Sequence, residues 1–200
     1  MVSMSDRGAA TRERILTAAA TLFTEHGVRA VSTNRIAAEA GVSPGNLYYW
    51  YRDREAIVRA LYDRFLAEHD ELWGPLDATP EGLDRLFDAL SASARISARY
   101  RWLVRDLVGL IHADPELEAT YRRVRRARFE GYRALARGWR AAGLMRDEDD
   151  ERLDDVVSAL WIVSETWWPF AELDDPDPDP EVGARLARSV LEPYLTGGAR

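Results

Sequence analysis

The stretch from Ser43 to Tyr51 reads Ser-Pro-Gly-Asn-Leu-Tyr-Tyr-Trp-Tyr, and it predicts the start of a short helix. The Ser43 hydroxyl can accept a hydrogen bond from a backbone N–H two or three residues on, which caps a helix N-terminus. Pro44 then occupies the first helical position, where its missing N–H costs nothing and its fixed φ favours the helix. We therefore expect a short helix to begin at Pro44, with Ser43 as its N-cap.

The residues before this stretch predict another short helix, from Ser32 to Ala40. Ser32 can cap it, and its small side chains allow a neighbouring helix to pack closely. The turn Gly41-Val42-Ser43 contains the glycine that commonly joins two such helices. The two helices with this turn form a helix-turn-helix.

The second helix carries a surface suited to the major groove of DNA. Leu47 points inward in this arrangement, whereas Asn46, Tyr48 and Tyr49 can point outward beside the small Gly45. An asparagine amide can bond the edge of an adenine, and tyrosines can reach phosphates or thymine methyl groups. The pattern therefore favours a sequence-reading helix.

The run from Ser32 to Ile57 resembles the TetR family of bacterial transcription regulators. The resemblance is carried by Ser-Thr-Asn-Arg-Ile-Ala from residue 32, Ala-Gly-Val-Ser from residue 40, Gly-Asn-Leu-Tyr-Tyr from residue 45 and Tyr-Arg-Asp-Arg-Glu from residue 51. It is close over residues 9–69, and the rest of the chain matches in length and helical character.

The resemblance implies an all-α fold of about nine helices. Residues 9–69 would form a three-helix DNA-binding domain with the helix-turn-helix at 32–51, and residues 70–200 a helical effector-binding and dimerisation domain. It also implies that Thr33 contacts the DNA backbone. For Arg52 and Arg54, a phosphate clasp and a solvated charge pair are equally good interpretations. The expected DNA-binding residues are Thr33, Asn34, Ser43, Pro44, Gly45, Asn46, Tyr48, Tyr49, Arg52 and Arg54.

The composition fits a DNA-binding protein once its charge is divided along the chain. The net charge is −7, but residues 1–60 hold 8 Arg and 6 acidic residues, a formal charge of +2, and the remainder carries −9. There is no Cys, so a disulfide framework and thiolate chemistry are excluded. No window is apolar enough for a membrane span, and the N-terminus lacks a signal-peptide core, so we expect a cytoplasmic protein.

Beyond residue 70 the pattern predicts further amphipathic helices, after a break at Trp73-Gly74-Pro75. The arginine run 122–126 invites a second nucleic-acid interpretation, but acidic residues within a turn or two favour a solvated, ion-paired face. The acidic residues 147–155 indicate a helix start rather than a metal site.

The last two helices have apolar faces too broad for one contact, which favours a homodimer with a four-helix interface. A dimer reads two half-sites of a palindromic operator at once. The candidate interface residues are Val157, Trp161, Ser164, Trp168, Leu186 and Val190.

The resemblance also implies a small-molecule effector held in the second domain. The second domain is rich in aromatic residues, which favours an apolar or aromatic effector. A cationic effector would need a nearby acidic side chain such as Glu165 as well as the faces of aromatic rings. The candidate effector-binding residues are Phe87, Trp102, His112, Trp139, Trp161 and Glu165.

Two alternatives stay open beside a ligand-responsive repressor. A regulator of the same fold could be controlled by a protein partner or by its own abundance. An all-helical enzyme is the other alternative, but the chain has no nucleophile–base signature, no Gly-rich phosphate loop and no His-x-x-x-His pair. We therefore expect no enzymatic activity, no catalytic residues, no cofactor and no metal.

Overall fold

The computed structural model describes residues 4–73 and 76–196, with side chains from residue 8 onward. Within these ranges the regular structure is helical, apart from one isolated β-bridge between Met145 and Leu195. The all-α fold expected from the sequence is confirmed. The break expected at Gly74 and Pro75 lies outside the described residues. The α-helices are α1 (Met4–His26), α2 (Thr33–Glu39), α3 (Pro44–Trp50), α4 (Arg54–Trp73), α5 (Pro80–Arg99), α6 (Arg101–Ala113), α7 (Pro115–Ala141), α8 (Asp150–Asp174) and α9 (Glu181–Leu191).

The helices divide into two compact units. The first holds the described residues up to Ala67 together with Tyr100–Leu103, and the second holds Glu68–Arg99 and the described residues from Val104 onward. Residues 100–103 were expected in the second domain, but Trp102 is buried beside Phe23, with ring centroids 5.1 Å apart. This contact joins the start of α6 to the first unit.

The core of the first unit is built by α1 to α4. Helix α1 ends where Gly27 takes a φ of 75°, a conformation that favours glycine. Ile15 and Phe23 of α1 are fully buried, as are Ile36 of α2 and Leu47 of α3. These side chains fix α2 and α3 against α1.

The second unit packs α5, α7, α8 and α9 around one apolar cluster. Gly183 of α9 allows a close approach, because a Cβ there would overlap the indole ring of Trp167 on α8. No helix in the described part of the chain has the length and apolarity that crossing a membrane requires. The cluster contains Leu83, Leu86, Phe87, Leu90, Ala136, Trp139, Met145, Leu153, Val156, Ala187, Leu191 and Leu195.

Candidate nucleic-acid interface

Two serine caps set the positions of α2 and α3. The Oγ of Ser32 accepts from the Arg35 backbone N–H at 3.3 Å, and the Oγ of Ser43 accepts from the Asn46 backbone N–H at 3.2 Å. Gly41 closes α2 with a φ of 63°. The structure thus contains the helix-turn-helix that the serines and the glycine predict.

One side of α3 faces solvent. Leu47 is completely buried, whereas Tyr48 is 49% and Tyr49 is 78% exposed. Asn46 is exposed, and a Cβ added at Gly45 would meet no atom within 4 Å. The N-cap Ser43 and the first helical residue Pro44 are exposed as well. The structure therefore brings six of the sequence-predicted DNA-binding residues together on what we call the outward face of α3: Ser43, Pro44, Gly45, Asn46, Tyr48 and Tyr49.

The N-terminus of α2 is tied to this face by a bond between two hydroxyls. Thr33 Oγ1 and Tyr48 Oη lie 2.9 Å apart, and Asn34 beside them is exposed. A helix N-terminus carries free N–H groups and a partial positive charge, which favour a phosphate. Thr33 therefore links the N-terminus of α2 to the outward face of α3, and Asn34 is exposed next to it.

The two arginines after α3 differ in what they contact. Arg52 is exposed and lies 3.0 Å from Asp53. Arg54 donates to the backbone carbonyls of Val28 and Arg29 and pairs with Glu55. Arg54 is thus engaged inside the first unit, where it holds the turn after α1, and the structure does not bring its guanidinium to the outward face.

Trp50 and Tyr51 anchor α3. Tyr51 is buried, but Trp50 reaches back to α1, with the Arg12 guanidinium 5.9 Å from its ring centroid. Sequence reasoning missed the contact between His26 Nε2 and Arg35, at 2.6 Å. No spacing rule links positions nine apart across a turn.

The sequence-predicted effector residues are not all together. Phe87 and Trp139 lie in the apolar cluster of the second unit, and the Trp139 indole donates to the Asp77 carbonyl at 3.1 Å. Trp102 belongs to the first unit, and His112 is exposed near the end of α6. Trp161 and Glu165 share another location in the second unit.

That location is a carboxylate–aromatic cluster of Glu165, Tyr121, Trp161, Phe129 and Tyr132. The Tyr121 hydroxyl donates to Glu165 Oε2 at 2.6 Å, and the Trp161 indole donates to the Tyr121 hydroxyl at 3.3 Å. Burial raises the pKa of the Glu165 carboxyl and of the Tyr121 hydroxyl, and it raises the pKa of Tyr132 to about 12. Sequence reasoning missed Tyr121 and Tyr132, because they lie on another helix, far from Glu165 along the chain.

The candidate dimer residues fall into two groups. Val157 and Trp168 are buried inside the second unit, whereas Trp161, Ser164 and Val190 are partly exposed and Leu186 is 44% exposed. Leu186 and Val190 line an open groove of about 780 Å³ between α8 and α9, which we call the α8–α9 groove. Exposed apolar side chains on α8 continue this surface: Ile162, Phe170 and Leu173.

Known proteins match the chain over both units. Residues 15–61 match the family described as bacterial regulatory proteins, tetR family, and residues 64–200 match the TetR family described as bacterial transcriptional repressor. The uncharacterized HTH-type transcriptional regulator YdeS of Bacillus subtilis (strain 168) is 28% identical over 152 residues, covering 76% of this chain and 74% of YdeS. The HTH-type transcriptional repressor KstR2 of Rhodococcus jostii (strain RHA1) is 33% identical over 108 residues, covering 48% of this chain and 52% of KstR2.

A solved structure agrees over nearly the whole length. The crystal structure of a TetR-family transcriptional regulator from Marinobacter aquaeolei VT8 has a TM-score of 0.82 and 25% sequence identity, covering 92% of this chain and 91% of that one. The two family matches, together with the capped helix-turn-helix and the outward face of α3, show that the chain belongs to the TetR family of bacterial transcriptional regulators.

Proposed function

We propose that this TetR-family regulator binds a palindromic operator as a homodimer, represses transcription there, and is released by a small-molecule effector. The observation that carries the DNA-binding part is α3, where Leu47 is wholly buried while Asn46 and Tyr49 are exposed. An exposed asparagine can read an adenine edge in the major groove, and Thr33 and Arg52 can hold the backbone on either side. Such a regulator acts where the DNA is, in the cytoplasm.

The DNA-binding part is tested by selecting bound duplexes from a random pool. We expect a two-fold palindrome to be enriched. Asn46→Ala and Tyr49→Ala should lose specific binding to it while they keep the wild-type unfolding temperature, because both side chains are exposed. Val108→Ala, an exposed change on α6, is the control and should bind normally. Wild-type binding by both α3 variants would contradict the proposal.

The homodimer is supported by apolar surface that the second unit leaves uncovered. Phe170 is 69% and Leu173 is 81% exposed on α8, and Leu186 of α9 adds to the same region. Exposed apolar side chains grouped in this way mark interaction sites. A second copy would cover them and give the operator two reading helices.

An effector can release DNA only if it binds the DNA-free state more tightly than the DNA-bound state. Among the effector candidates, Trp161 and Glu165 are supported best, because they share the partly exposed carboxylate–aromatic cluster. A screen for compounds that displace the selected operator tests this part. If no compound displaces it while a protein partner does, control without a small molecule is favoured.

A further inference from the structure

Glu165 is a mostly buried carboxylate whose charge is only partly compensated. The Tyr121 hydroxyl donates to it, and the charges of Arg125 and Arg128 also act to lower its pKa, but burial outweighs these contributions and the pKa is raised. Burying an ionised carboxylate without a counter-ion is costly. A stabilising cation at this place would therefore be strongly favoured.

Aromatic rings surround this carboxylate and remain partly accessible. The ring centroid of Trp161 lies 5.3 Å from that of Phe129 and 6.3 Å from that of Tyr132, and Tyr132 lies 5.4 Å from Trp73. Trp161, Tyr132 and Trp73 are each only partly buried. Ring faces beside a carboxylate attract cations through the quadrupole of the rings.

The cluster already holds one cation on a ring face. The Arg125 guanidinium carbon lies 4.3 Å from the ring centroid of Phe129, and Arg125 is exposed. Its charge also acts on Glu165, where it lowers the pKa of the carboxyl. The contact with the ring shows which face of the cluster a positively charged group can reach.

We propose that the carboxylate–aromatic cluster binds an organic cation, an ammonium group carried on an aromatic or apolar body, with Glu165 as counter-ion and Trp161 and Tyr132 as ring faces. The proposal rests on the effector function proposed above and names its ligand class. A neutral apolar ligand would add nothing to the partial compensation of the Glu165 charge, and an anion would be repelled by it. Arg128 supplies only part of that compensation, because it also pairs with Asp70 at 2.6 Å.

Proton competition follows from this arrangement. Burial raises the pKa of Glu165, so a proton competes with the cation for the carboxylate at low pH. Binding of a permanently charged cation should strengthen as the pH rises, until Glu165 is ionised without the ligand. The charged and titratable groups that act on Glu165 from the neighbouring helices are Tyr121, Tyr132, Arg125 and Arg128, the last paired with Asp70.

The test uses two probes of one shape on the full-length protein. The first is (naphthylmethyl)trimethylammonium, and the second is its neutral isostere, neopentylnaphthalene, in which a tert-butyl group replaces the trimethylammonium. Binding is measured by quenching of tryptophan fluorescence. We expect the cation to bind wild type at least about tenfold more tightly than the isostere. Glu165→Gln should remove most of that difference, and Glu130→Gln, an exposed change on α7, should not.

Equal binding of the two probes to wild type would overturn the proposal, whether or not the variants fold. So would an unchanged cation affinity in Glu165→Gln. Operator release is measured separately on the selected DNA. Release by a neutral compound that is insensitive to Glu165→Gln would support the proposed effector function and contradict this inference. Glu165-dependent cation binding without release would support the inference and contradict the effector function.

Discussion

The hydroxyl of Ser43 caps α3 and is also exposed on its outward face, so one residue serves both folding and the proposed DNA contact. Substitutions at Ser43 can distinguish the capping of α3 from the proposed contact with DNA. Ser43→Ala loses the cap, which costs about 1 kcal/mol of stability, and it should weaken operator binding as α3 loosens. Ser43→Asp keeps a good cap but places a negative charge against the phosphates. We therefore expect normal thermal unfolding and strongly reduced DNA binding for Ser43→Asp.

Ser43→Asn is the matched control for this pair, because asparagine caps well and is neutral. It should keep both stability and most of the operator affinity, as measured by thermal unfolding and by fluorescence anisotropy of labelled operator. If Ser43→Asp binds operator as tightly as Ser43→Asn, the N-terminus of α3 does not face DNA.

Glu165 should make stability depend on pH. Burial raises the pKa of its carboxyl above the ordinary value of 4.5. Above pH 4.5 the unfolded chain gives up this proton while the folded protein retains it, so stability falls as the pH rises to the folded-state pKa and is then constant. The unfolding temperature of Glu165→Gln minus that of wild type should therefore increase over this window. The exposed Glu130→Gln should show no such trend.

At the scale of single helices, α9 depends on its glycine. A Cβ at position 183 would overlap the Trp167 ring on α8, and overpacking of this kind costs about 1–3 kcal/mol. Gly183→Ala should therefore lower the free energy of unfolding, measured by urea denaturation.

Gly131→Ala is the matched control, since a Cβ there would meet nothing within 4 Å and α7 is a regular helix. This change should stabilise the protein by up to about 1 kcal/mol through helix propensity. Equal effects of the two substitutions would mean that α9 does not pack closely on Trp167.

Helices whose ends are set by local chemistry could be predicted from the sequence. Ser32 and Ser43 cap α2 and α3, and the alternation of buried Leu47 with exposed Tyr48 and Tyr49 follows from helix geometry. The sequence thus predicted which side chains of α3 are buried and which are exposed, whereas Arg54 is engaged inside the first unit. Its partners, the carbonyls of Val28 and Arg29, carry no sequence signal.

Contacts between distant helices could not be predicted. Tyr121 and Glu165 are in contact because α7 and α8 pack against each other, and no spacing in the sequence predicts that these two helices pack together. Trp102 looks like any aromatic residue on an amphipathic helix, yet it packs against Phe23 of the first unit. Sequence periodicity identifies the buried face of a helix and leaves its partner undetermined.

Across the whole molecule, the uncovered apolar surface of α8 and α9 is the feature that one chain does not explain. Leu186→Arg would place a charge in the α8–α9 groove. We expect wild type to sediment as a dimer and this variant as a monomer at the same concentration, and we expect the variant to lose operator affinity while its fold persists. Val108→Arg puts the same charge on an exposed apolar position of α6 outside the groove and should stay dimeric. Dimerisation of Leu186→Arg at wild-type strength would exclude the groove as the interface.

In the proposed homodimer, the two α3 helices must meet two half-sites on the same side of the duplex. The spacing between half-site centres is therefore fixed to about one helical turn, 10–10.5 base pairs, or a multiple of it. Inserting 5 base pairs at the centre of the selected operator turns one half-site to the opposite side, and affinity should fall to that of a single half-site. Inserting 10 base pairs returns both half-sites to the same side of the duplex but increases the distance between them. Binding should therefore recover only if the two α3 helices of the dimer can move apart by that distance. Anisotropy titrations of the three duplexes at one salt concentration measure this, since phosphate contacts make affinity salt-dependent. Equal affinity for all three duplexes would mean that each α3 binds on its own, and the two-fold reading of the operator would be wrong.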